Sequence, residues 1–567
     1  MKKSLIILVI ISFIFSLSLP VFAAEIDKLQ KAGTEIEKEK RLREKIETER
    51  PSPEIKKGYA PPEVTPPEAG ERVLINKITV TGVTLLTQKE IDKIISGYQN
   101  RQLNLTDMQK VADQITDAYR QKGYITSRAY LPPQKITSGN LELRIVEGST
   151  GDIEIKGNRY FKTSLYRKKI ALKKTDPFNY EILRKGMSNI NQLPDRSAKA
   201  TLTPGKEPGT TDVLLEVKDR LPIHIGFDWD NFGSRYLGTN RYRTTITDNN
   251  LLGRDDILTL QYQLSEGSFY RLFMLRYLYP INDNLQIGFF SAQSKTELGK
   301  ELATVEARGK AKYYSLYATQ TLINTEKTNL NLSLGFDYKD IFNFQFGSEQ
   351  SRDRMRVLKL GSEWDMSDKY GRTLVSEEIN FGIPDIMGGL EEKDAHASRT
   401  GAGGKFTKNV LYILRLQKMP WDSMLLWKNQ FQFTNNILTG AEQYQIGGII
   451  NVRGYPPAEV VGDKGYAMTW EWSLPPYFVS KKIKVPFSKA NLYDALRFVA
   501  FYDWGNTALK RPQAGEQKNR TLRSIGCGWR LNLPEDLSAR VEFAWPLDNS
   551  PSNGENVQIL GSVVKNF

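Results

Sequence analysis

Residues 537–547 read LSARVEFAWPL, and their side chains alternate between two kinds. Apolar residues occupy every odd position of the stretch, whereas Ser538, Arg540 and Glu542 occupy three of the five even positions. Successive side chains of a β-strand point to opposite faces, so this segment has one apolar and one largely polar face. Because lipid contacts one face of a membrane-spanning strand and water the other, the pattern predicts a transmembrane β-strand.

The same alternation begins at Leu221 and continues to Phe567. Its first strand sets apolar residues against polar or small ones: Ile223, Ile225, Phe227 and Trp229 against His224, Gly226, Asp228 and Asp230. One membrane strand takes about 10 residues plus a connection, so residues 221–567 accommodate about 16 strands. Closure satisfies every backbone polar group, which lipid cannot do. We therefore predict a transmembrane antiparallel β-barrel with a lumen. A soluble β-sandwich also alternates, but it would interrupt its apolar faces with charged edge strands.

The N-terminus predicts export from the cytoplasm. Lys2 and Lys3 precede an apolar run from Leu5 to Leu19, and small residues follow at Ala23 and Ala24. This order is typical of a cleaved secretory signal, which we place at residues 1–23. A membrane anchor is the alternative, but the run is only marginally long enough to span a bilayer and a cleavage site follows it directly.

Two further segments separate the signal from the folded modules. Residues 24–50 are highly charged, and their sparse apolar residues recur at near-helical spacing, so we predict a helix with a narrow apolar stripe. Such a helix is either a solvated arm or a helix that lies in a polar cavity. Residues 51–70 contain six prolines and predict an extended, semi-rigid linker.

Residues 71–220 predict two tandem α+β modules, at 71–148 and 149–220. In the first, a strand ends at Gly82, a capping box begins a helix at Thr87, and a second helix begins at Thr106. Apolar residues share one face of that second helix: Met108, Val111, Ala112, Ile115 and Tyr119. Two strands complete the order β-α-α-β-β, and the same order recurs in residues 149–220.

Composition excludes several classes of function. The chain has one cysteine, which cannot form an internal disulfide, and two histidines, which are far apart in the sequence and offer few ligands for zinc. We therefore predict no metal and no cofactor. The net charge of +14 becomes +12 without the two signal lysines, and the basic residues are interleaved with acids, so we predict no nucleic-acid binding.

His224 has no Gly-x-Ser-x-Gly partner motif and is a polar lumen residue, which argues against an enzyme. Cys527 lies on the apolar phase of its strand.

Two segments break the strand pattern. The segment from Ile446 to Pro457 places Arg453 before Gly454 in a long loop, and Arg-Gly pairs also occur in ordinary surface turns. In the strand from Phe498 to Asn506, the alternation directs Asp503 into the barrel. A carboxylate there requires a cation, and the planar fork of Arg453 is well suited to it.

The chain resembles the two-partner secretion outer-membrane transporters, the TpsB family of the haemolysin activator and filamentous haemagglutinin transporter type. These belong to the POTRA-plus-barrel, BamA-like superfamily. The resemblance covers nearly the whole chain, from the signal through the POTRA-like domains to the barrel. It includes two diagnostic motifs in order: Val452-Arg453-Gly454-Tyr455 and Phe501-x-Asp503-x-Gly505.

The resemblance implies a function in the Gram-negative outer membrane, with the N-terminal domains in the periplasm. The loop of Arg453 would fold into the lumen and pair with Asp503, and the helix at 24–50 would plug the pore. The POTRA-like domains would bind a large, unfolded secreted exoprotein, which would then cross through the barrel. The barrel would contact outer-membrane lipid and lipopolysaccharide.

Three other functions compete with export. A superfamily factor that assembles other outer-membrane proteins shares the barrel motifs, but such factors usually carry a different number of POTRA modules and lack the plug helix. An outer-membrane phospholipase would need a nucleophile and a base. A diffusion porin would leave the two modules without a purpose.

Overall fold

The computed structural model describes residues 38–47, 54–57, 71–136, 138–486, 488–534 and 536–567. The predicted signal peptide, residues 24–37 and 48–50 of the predicted N-terminal helix, and most of the predicted linker lie outside these residues. The chain divides into two compact units. One comprises residues 50–222, and the other combines the N-terminal residues up to 49 with residues 223–567. Helix α1, residues 38–47, belongs to the second unit.

The unit at 50–222 contains two modules of strands and helices. Strand β1 (Glu54–Lys57) lies within the predicted linker. The first module contains β2 (Val73–Ile75), β3 (Lys77–Thr81), α2 (Gln88–Ile95), β4 (Arg101–Leu103), α3 (Leu105–Gln121), β5 (Arg128–Tyr130) and β6 (Asn140–Val146). The second contains β7 (Ser149–Lys156), α4 (Thr163–Ile170), α5 (Tyr180–Asn191), β8 (Arg196–Pro204) and β9 (Thr210–Asp219).

The helices of the first module follow their capping signals. The capping box joins Thr87 and Glu90 at the start of α2, as the sequence predicts. Helix α3 begins at Leu105 rather than at Thr106, because the Asn104 side chain accepts a hydrogen bond from the Asp107 backbone N–H at 2.8 Å and is the N-cap. The predicted apolar face of α3 is buried in the module core.

Each module builds a small sheet on its helices. In the first, β3 lies parallel and β5 antiparallel to the central strand β6. The second has the order β1-β8-β9-β7, in which the linker strand β1 adds a parallel edge strand. Sequence reasoning missed β4, which pairs with β2 and has only three residues, too few to show a period.

The two modules repeat the same stabilising contact. Glu147, at the end of β6, accepts hydrogen bonds from the backbone N–H groups of Thr84 and Leu85 at 2.8 and 2.9 Å and from the Tyr119 hydroxyl at 2.6 Å. In the second module Asp219, at the end of β9, accepts the corresponding hydrogen bonds from the backbone N–H groups of residues 159–161 and from the Tyr166 hydroxyl. A carboxylate therefore fixes the turn after the first strand in both modules.

The second unit contains a closed antiparallel barrel of 16 strands, as the sequence predicts. Its strands are β10 (Ile223–Asp230), β11 (Arg241–Asp248), β12 (Ile257–Ser265), β13 (Tyr270–Pro280), β14 (Leu285–Glu297), β15 (Arg308–Asn324), β16 (Thr328–Gln345), β17 (Ser348–Asp368), β18 (Gly371–Gly382), β19 (Phe406–Lys418), β20 (Met424–Thr434), β23 (Lys464–Leu474), β24 (Leu496–Ala508), β25 (Asn519–Leu533), β26 (Leu537–Pro546) and β27 (Gln558–Asn566). Five residue pairs between β10 and β27 close the barrel.

Shorter elements occupy the connections between barrel strands. A small hairpin, β21 (Tyr444–Ile446) with β22 (Val460–Gly462), lies between β20 and β23, and helix α6 (Leu492–Ala495) precedes β24. Two 3-10 helices, Glu266–Ser268 and Lys300–Val305, complete the elements. Among the helices of the described residues, none is both long enough and apolar enough to cross a membrane.

The lumen wall is less uniformly polar than the alternating pattern predicts. A patch of inward apolar side chains lies on β18, β19 and β20: Leu374, Val410, Tyr412, Leu414 and Leu426. Leu42 and Ile46 of α1 are buried against this patch. The narrow apolar stripe of the N-terminal helix therefore has a matching surface inside the barrel.

Candidate functional site

The connection between β20 and β23, residues 435–463, carries Arg453 to the inner wall of the barrel. The Arg453 Nε and Nη2 atoms lie 2.9 Å from the two carboxylate oxygens of Asp503 on β24, a bidentate pair. The Arg453 backbone N–H also donates to Asp503 at 3.2 Å. Its guanidinium carbon lies 3.3 Å from the centroid of the Phe501 ring. This stacked, forked geometry suits arginine and not lysine.

Arg453 belongs to a larger buried ion network. Its Nη1 atom donates to Glu471 on β23 at 2.7 Å and to Glu542 on β26 at 3.2 Å. Arg530 on β25 donates to Glu471 at 2.6 and 2.8 Å, and to Glu542 at 2.8 and 2.5 Å. Each of these carboxylates is almost inaccessible to solvent. The attraction between buried charges offsets their desolvation only when every member has a partner, so the network is sensitive to the loss of any one.

Helix α1 supplies the third arginine of this network. Arg43 donates a hydrogen bond to Glu471, the same carboxylate that binds Arg453 and Arg530. Three guanidinium groups therefore face the three carboxylates of Asp503, Glu471 and Glu542. Glu471 connects the helix in the lumen with the loop on the wall.

The other motif residues provide the space for this arrangement. A Cβ atom on Gly505 would lie 2.9 Å from the Val452 side chain, and one on Gly454 would lie 2.7 Å from Ser524 on the barrel wall. Tyr455 is buried, and its hydroxyl oxygen accepts a hydrogen bond from the Asp548 backbone N–H at 3.2 Å. The glycines thus permit the close approach of loop and wall.

A second ion pair holds the same connection near its C-terminal end. Arg399, from the connection between β18 and β19, donates to both carboxylate oxygens of Asp463 at 2.7 Å. Asp463 is fully buried and also accepts the backbone N–H groups of Leu438 and Lys510, at 2.8 and 2.6 Å. This pair joins three connections of the barrel. Sequence reasoning missed it, because its members are 64 residues apart and lie in no recognised motif.

Helix α1 makes ion pairs with strands on several sides of the lumen. Lys40 lies 3.4 Å from Asp228 on β10, and Glu39 lies 2.7 Å from Lys428 on β20. Lys45 pairs with Glu363 on β17. Together with the Arg43 contact to β23, these pairs fix the helix across the lumen.

The helix does not fill the lumen. A cavity of about 840 Å³ remains beside it, bounded by α1 and by strands β12 to β20. Lysines and acids from the walls line this space, including Lys312, Asp337, Lys359 and Glu378. The lumen therefore keeps a charged cavity beside the helix.

The structure brings together all seven motif residues that the sequence singled out, the loop residues Val452 to Tyr455 and the wall residues Phe501, Asp503 and Gly505. Sequence reasoning missed Glu471, Arg530 and Glu542. They occupy ordinary inward positions of three strands, and alternation alone cannot show which inward charges meet. Within the described residues, no cluster of histidine, cysteine, aspartate and glutamate could hold a metal ion.

Two family models match the chain. The model of the POTRA domain, ShlB-type, matches residues 73–148, and that of the haemolysin secretion/activation protein ShlB/FhaC/HecB matches residues 209–531. The second match covers more than half of the chain and includes both motifs. It favours a secretion protein over a factor that assembles other barrels.

Individual relatives agree with the family models. The chain is 24% identical over 496 residues to the heme/hemopexin transporter protein HuxB of Haemophilus influenzae, and the aligned region covers 84% of each protein. It is 25% identical over 405 residues to the hemolysin transporter protein HpmB of Proteus mirabilis, covering 69% of this chain and 70% of the relative.

A solved structure shows the same fold. CdiB from Escherichia coli superimposes with a TM-score of 0.73 at 20% identity, covering 97% of this chain and 99% of that one. The chain therefore belongs to the ShlB/FhaC/HecB family of haemolysin secretion/activation proteins, the outer-membrane β-barrel transporters of two-partner secretion, which carry a periplasmic POTRA domain and are not enzymes.

Proposed function

We propose that this chain exports one secreted protein, which binds unfolded to the two periplasmic modules and then crosses the outer membrane through the barrel lumen. The observation that supports this proposal is the buried network in which Glu471 binds both Arg43 of the lumen helix and Arg453 of the loop. A barrel that only admits small solutes has no need of a helix and a loop that share one carboxylate.

The arrangement suggests how the passage is closed and opened. Helix α1 is held by two buried apolar side chains and by ion pairs with several strands. The pairing of its own strands closes the barrel, so the helix can leave without unfolding the barrel. The loop of Arg453 keeps its place on the wall through Asp503 and Glu542, which bind it independently of the helix.

The proposed partner is a large exoprotein in an extended state. Extended chains add a strand to an exposed sheet edge, where backbone hydrogen bonds give affinity and alternate side-chain positions give selectivity. Strand β5 offers such an edge in the first module, since β6 is its only partner strand within the described residues. The sequence shows no nucleotide-binding motif, so we propose that folding of the partner outside the cell drives transport.

The proposed surroundings of the barrel are outer-membrane lipid and lipopolysaccharide. Outward side chains of the strands are apolar and exposed, among them Phe227, Trp470, Trp472, Ile525 and Trp529. Aromatic residues are typical of the interfaces of a membrane barrel.

Removal of residues 71–220 tests the proposal. We expect the variant to insert as a folded barrel and to lose export of one large protein, while the other outer-membrane proteins keep their normal amounts. Quantitative mass spectrometry of the outer membrane and of the medium measures both. A general fall in outer-membrane proteins would instead identify an assembly factor, and an unchanged medium would contradict the role of the modules.

A further inference from the structure

The second module has an edge strand that its own linker covers. Strand β8 lies at the edge of the sheet β8-β9-β7, and β1 pairs with it in parallel. The register places Glu54 beside Lys199, Ile55 beside Ala200 and Lys56 beside Thr201. The corresponding strand of the first module, β5, has no such cover among the described residues. The linker therefore occupies the kind of edge to which an extended chain can bind.

The side chains of β1 fit this edge on both faces. Ile55 packs against the apolar core of the second module. On the other face, Glu54 forms ion pairs with Lys199 at 2.5 Å and with Lys56 at 3.2 Å. The edge thus recognises an extended segment with a branched apolar residue over Ala200 and an acid next to Lys199.

The covering strand is shorter than the edge that it covers. Strand β1 has four residues, whereas β8 has nine. The register uses only residues 199–202 of β8, so residues 196–198 and 203–204 lie beyond it. A longer extended segment pairs with more of β8 than β1 does. The additional backbone hydrogen bonds stabilise the longer segment on the edge. They offset the advantage of β1, which is present at a high effective concentration because it belongs to the same chain.

The chain connects β1 closely to the lumen helix. The structure describes helix α1 to residue 47, and β1 begins at Glu54, so residues 48–53 join the two described segments. Seven Cα–Cα steps reach at most about 25 Å when fully extended. While β1 is paired with β8, the covalent link limits how far α1 can move.

We propose that β1 occupies the β8 edge in place of the secreted partner, and that exchange of β1 for an extended segment of that partner releases helix α1 from the lumen. This inference rests on the proposed function and adds its first step: recognition of the partner removes the anchor of the plug. The segment that displaces β1 carries an acidic residue followed by a branched apolar residue.

A disulfide lock tests the anchor on the full chain. Lys56→Cys with Thr201→Cys joins β1 to β8 at a register pair on the outer face, in a Cys527→Ala background. The matched control, Thr201→Cys with Leu214→Cys, uses the same cysteine on β8 and joins it to β9 instead. In planar bilayers we expect the oxidised lock to lose its large-conductance openings and to recover them on reduction, while the control pair shows no redox effect. An oxidised lock that opens as often as its reduced form overturns the proposal.

The opposite change weakens the anchor. Ile55→Asp places a charge against the module core and should release β1, so we expect more frequent large openings than in the parent chain. Ser164→Asp places the same charge at an exposed position of α4 in the same module and should behave as the parent chain does. Unchanged openings in Ile55→Asp contradict the anchor.

A peptide reports on the edge itself. The synthetic octapeptide SPEIKKGY, residues 52–59 of this chain, serves as a probe of strand addition. We expect it to bind the Ile55→Asp chain, as measured by fluorescence anisotropy, and to lose binding to the oxidised Lys56→Cys, Thr201→Cys chain. Equal binding to both chains overturns the assignment of the β8 edge.

Deletion of residues 38–47 separates this inference from the proposed function. If the deletion increases conductance and Ile55→Asp does not, the anchor is wrong and the plug stands. If neither change affects conductance, the plug itself is wrong, and the anchor fails with it.

Discussion

Among single residues, Arg453 makes the contacts that hold the loop to the barrel wall. The Nε and Nη2 atoms of its guanidinium group bind Asp503, and its Nη1 atom binds Glu471 and Glu542. The plane of the guanidinium group stacks on the Phe501 ring. The sequence could predict the pair with Asp503, because a short motif and an inward position pointed to it. It could not predict Glu471 or Glu542, because strand pairing in space decides which inward charges meet.

Charge reversal of Arg453 should detach the loop from the wall. Arg453→Glu places a fourth acid among Asp503, Glu471 and Glu542, and breaking a buried pair in this way costs about 3–5 kcal/mol. We expect loss of export and new protease cleavage within residues 435–463. The double variant Arg453→Glu, Asp503→Arg should recover part of both properties.

Lys518→Glu is the matched control for that reversal. Lys518 lies exposed in the connection after β24, so its reversal changes the net charge equally without entering the network. Export should stay at the parent level. Equal losses in Arg453→Glu and Lys518→Glu would show that net charge, and not the buried network, is responsible.

The Glu147 carboxylate gives the first module a pH dependence. Burial raises the pKa of Glu147, but hydrogen bonds from Thr84, Tyr119 and the Leu85 backbone outweigh it and hold the pKa below the usual 4.5. A lowered pKa in the folded state means that this stabilisation is present above pH 4.5 and is lost as the pH falls through the folded value. The melting temperature, followed by the circular dichroism of the helices at 222 nm, should therefore be lower at pH values below 4.5 than at pH 7.

Glu147→Gln identifies the carboxylate responsible. The variant should melt earlier than the parent chain at pH 7 and lose part of the acid dependence. A parent chain and a variant with the same acid dependence would show that Glu147 contributes nothing to it.

At the scale of elements, helix α1 links the sequence pattern to the site. Its narrow apolar stripe left open whether it is a solvated arm or lies in a cavity. Leu42 and Ile46 are buried against the inward patch of β18 to β20, so the helix lies in the cavity of the barrel. The alternating pattern could not reveal that patch, because a period of two assigns a face to each residue without showing which inward residues are apolar neighbours.

Arg43→Ala should weaken the plug more than Arg41→Ala. Arg43 shares Glu471 with the loop, whereas Arg41 is exposed on the same helix and has no ion pair among those that the structure describes. We expect Arg43→Ala to increase the frequency of openings in planar bilayers, and Arg41→Ala to leave it near the parent value. The same increase in both would mean that the total charge of the helix, and not the shared carboxylate, holds it.

For the whole molecule, the sequence predicts the order of the modules and the barrel along the chain. Sustained alternation predicts a barrel of 16 strands, and the repeated β-α-α-β-β order predicts the two modules. Strand lengths were less predictable: β16 and β17 have 18 and 21 residues, well beyond the 10 or so that a membrane requires. The alternation persists where these strands leave the membrane, so the pattern does not mark the lipid boundary.

Export by this chain requires that a protein passes through the lumen. The most direct test places a photo-crosslinking amino acid at Leu374, on the lumen wall beneath α1, and at Trp470, on the outer face, in cells that secrete. We predict that illumination attaches a large polypeptide to the Leu374 position, with a matching loss from the medium, and none to the Trp470 position. Attachment at Trp470 alone would contradict passage through the barrel.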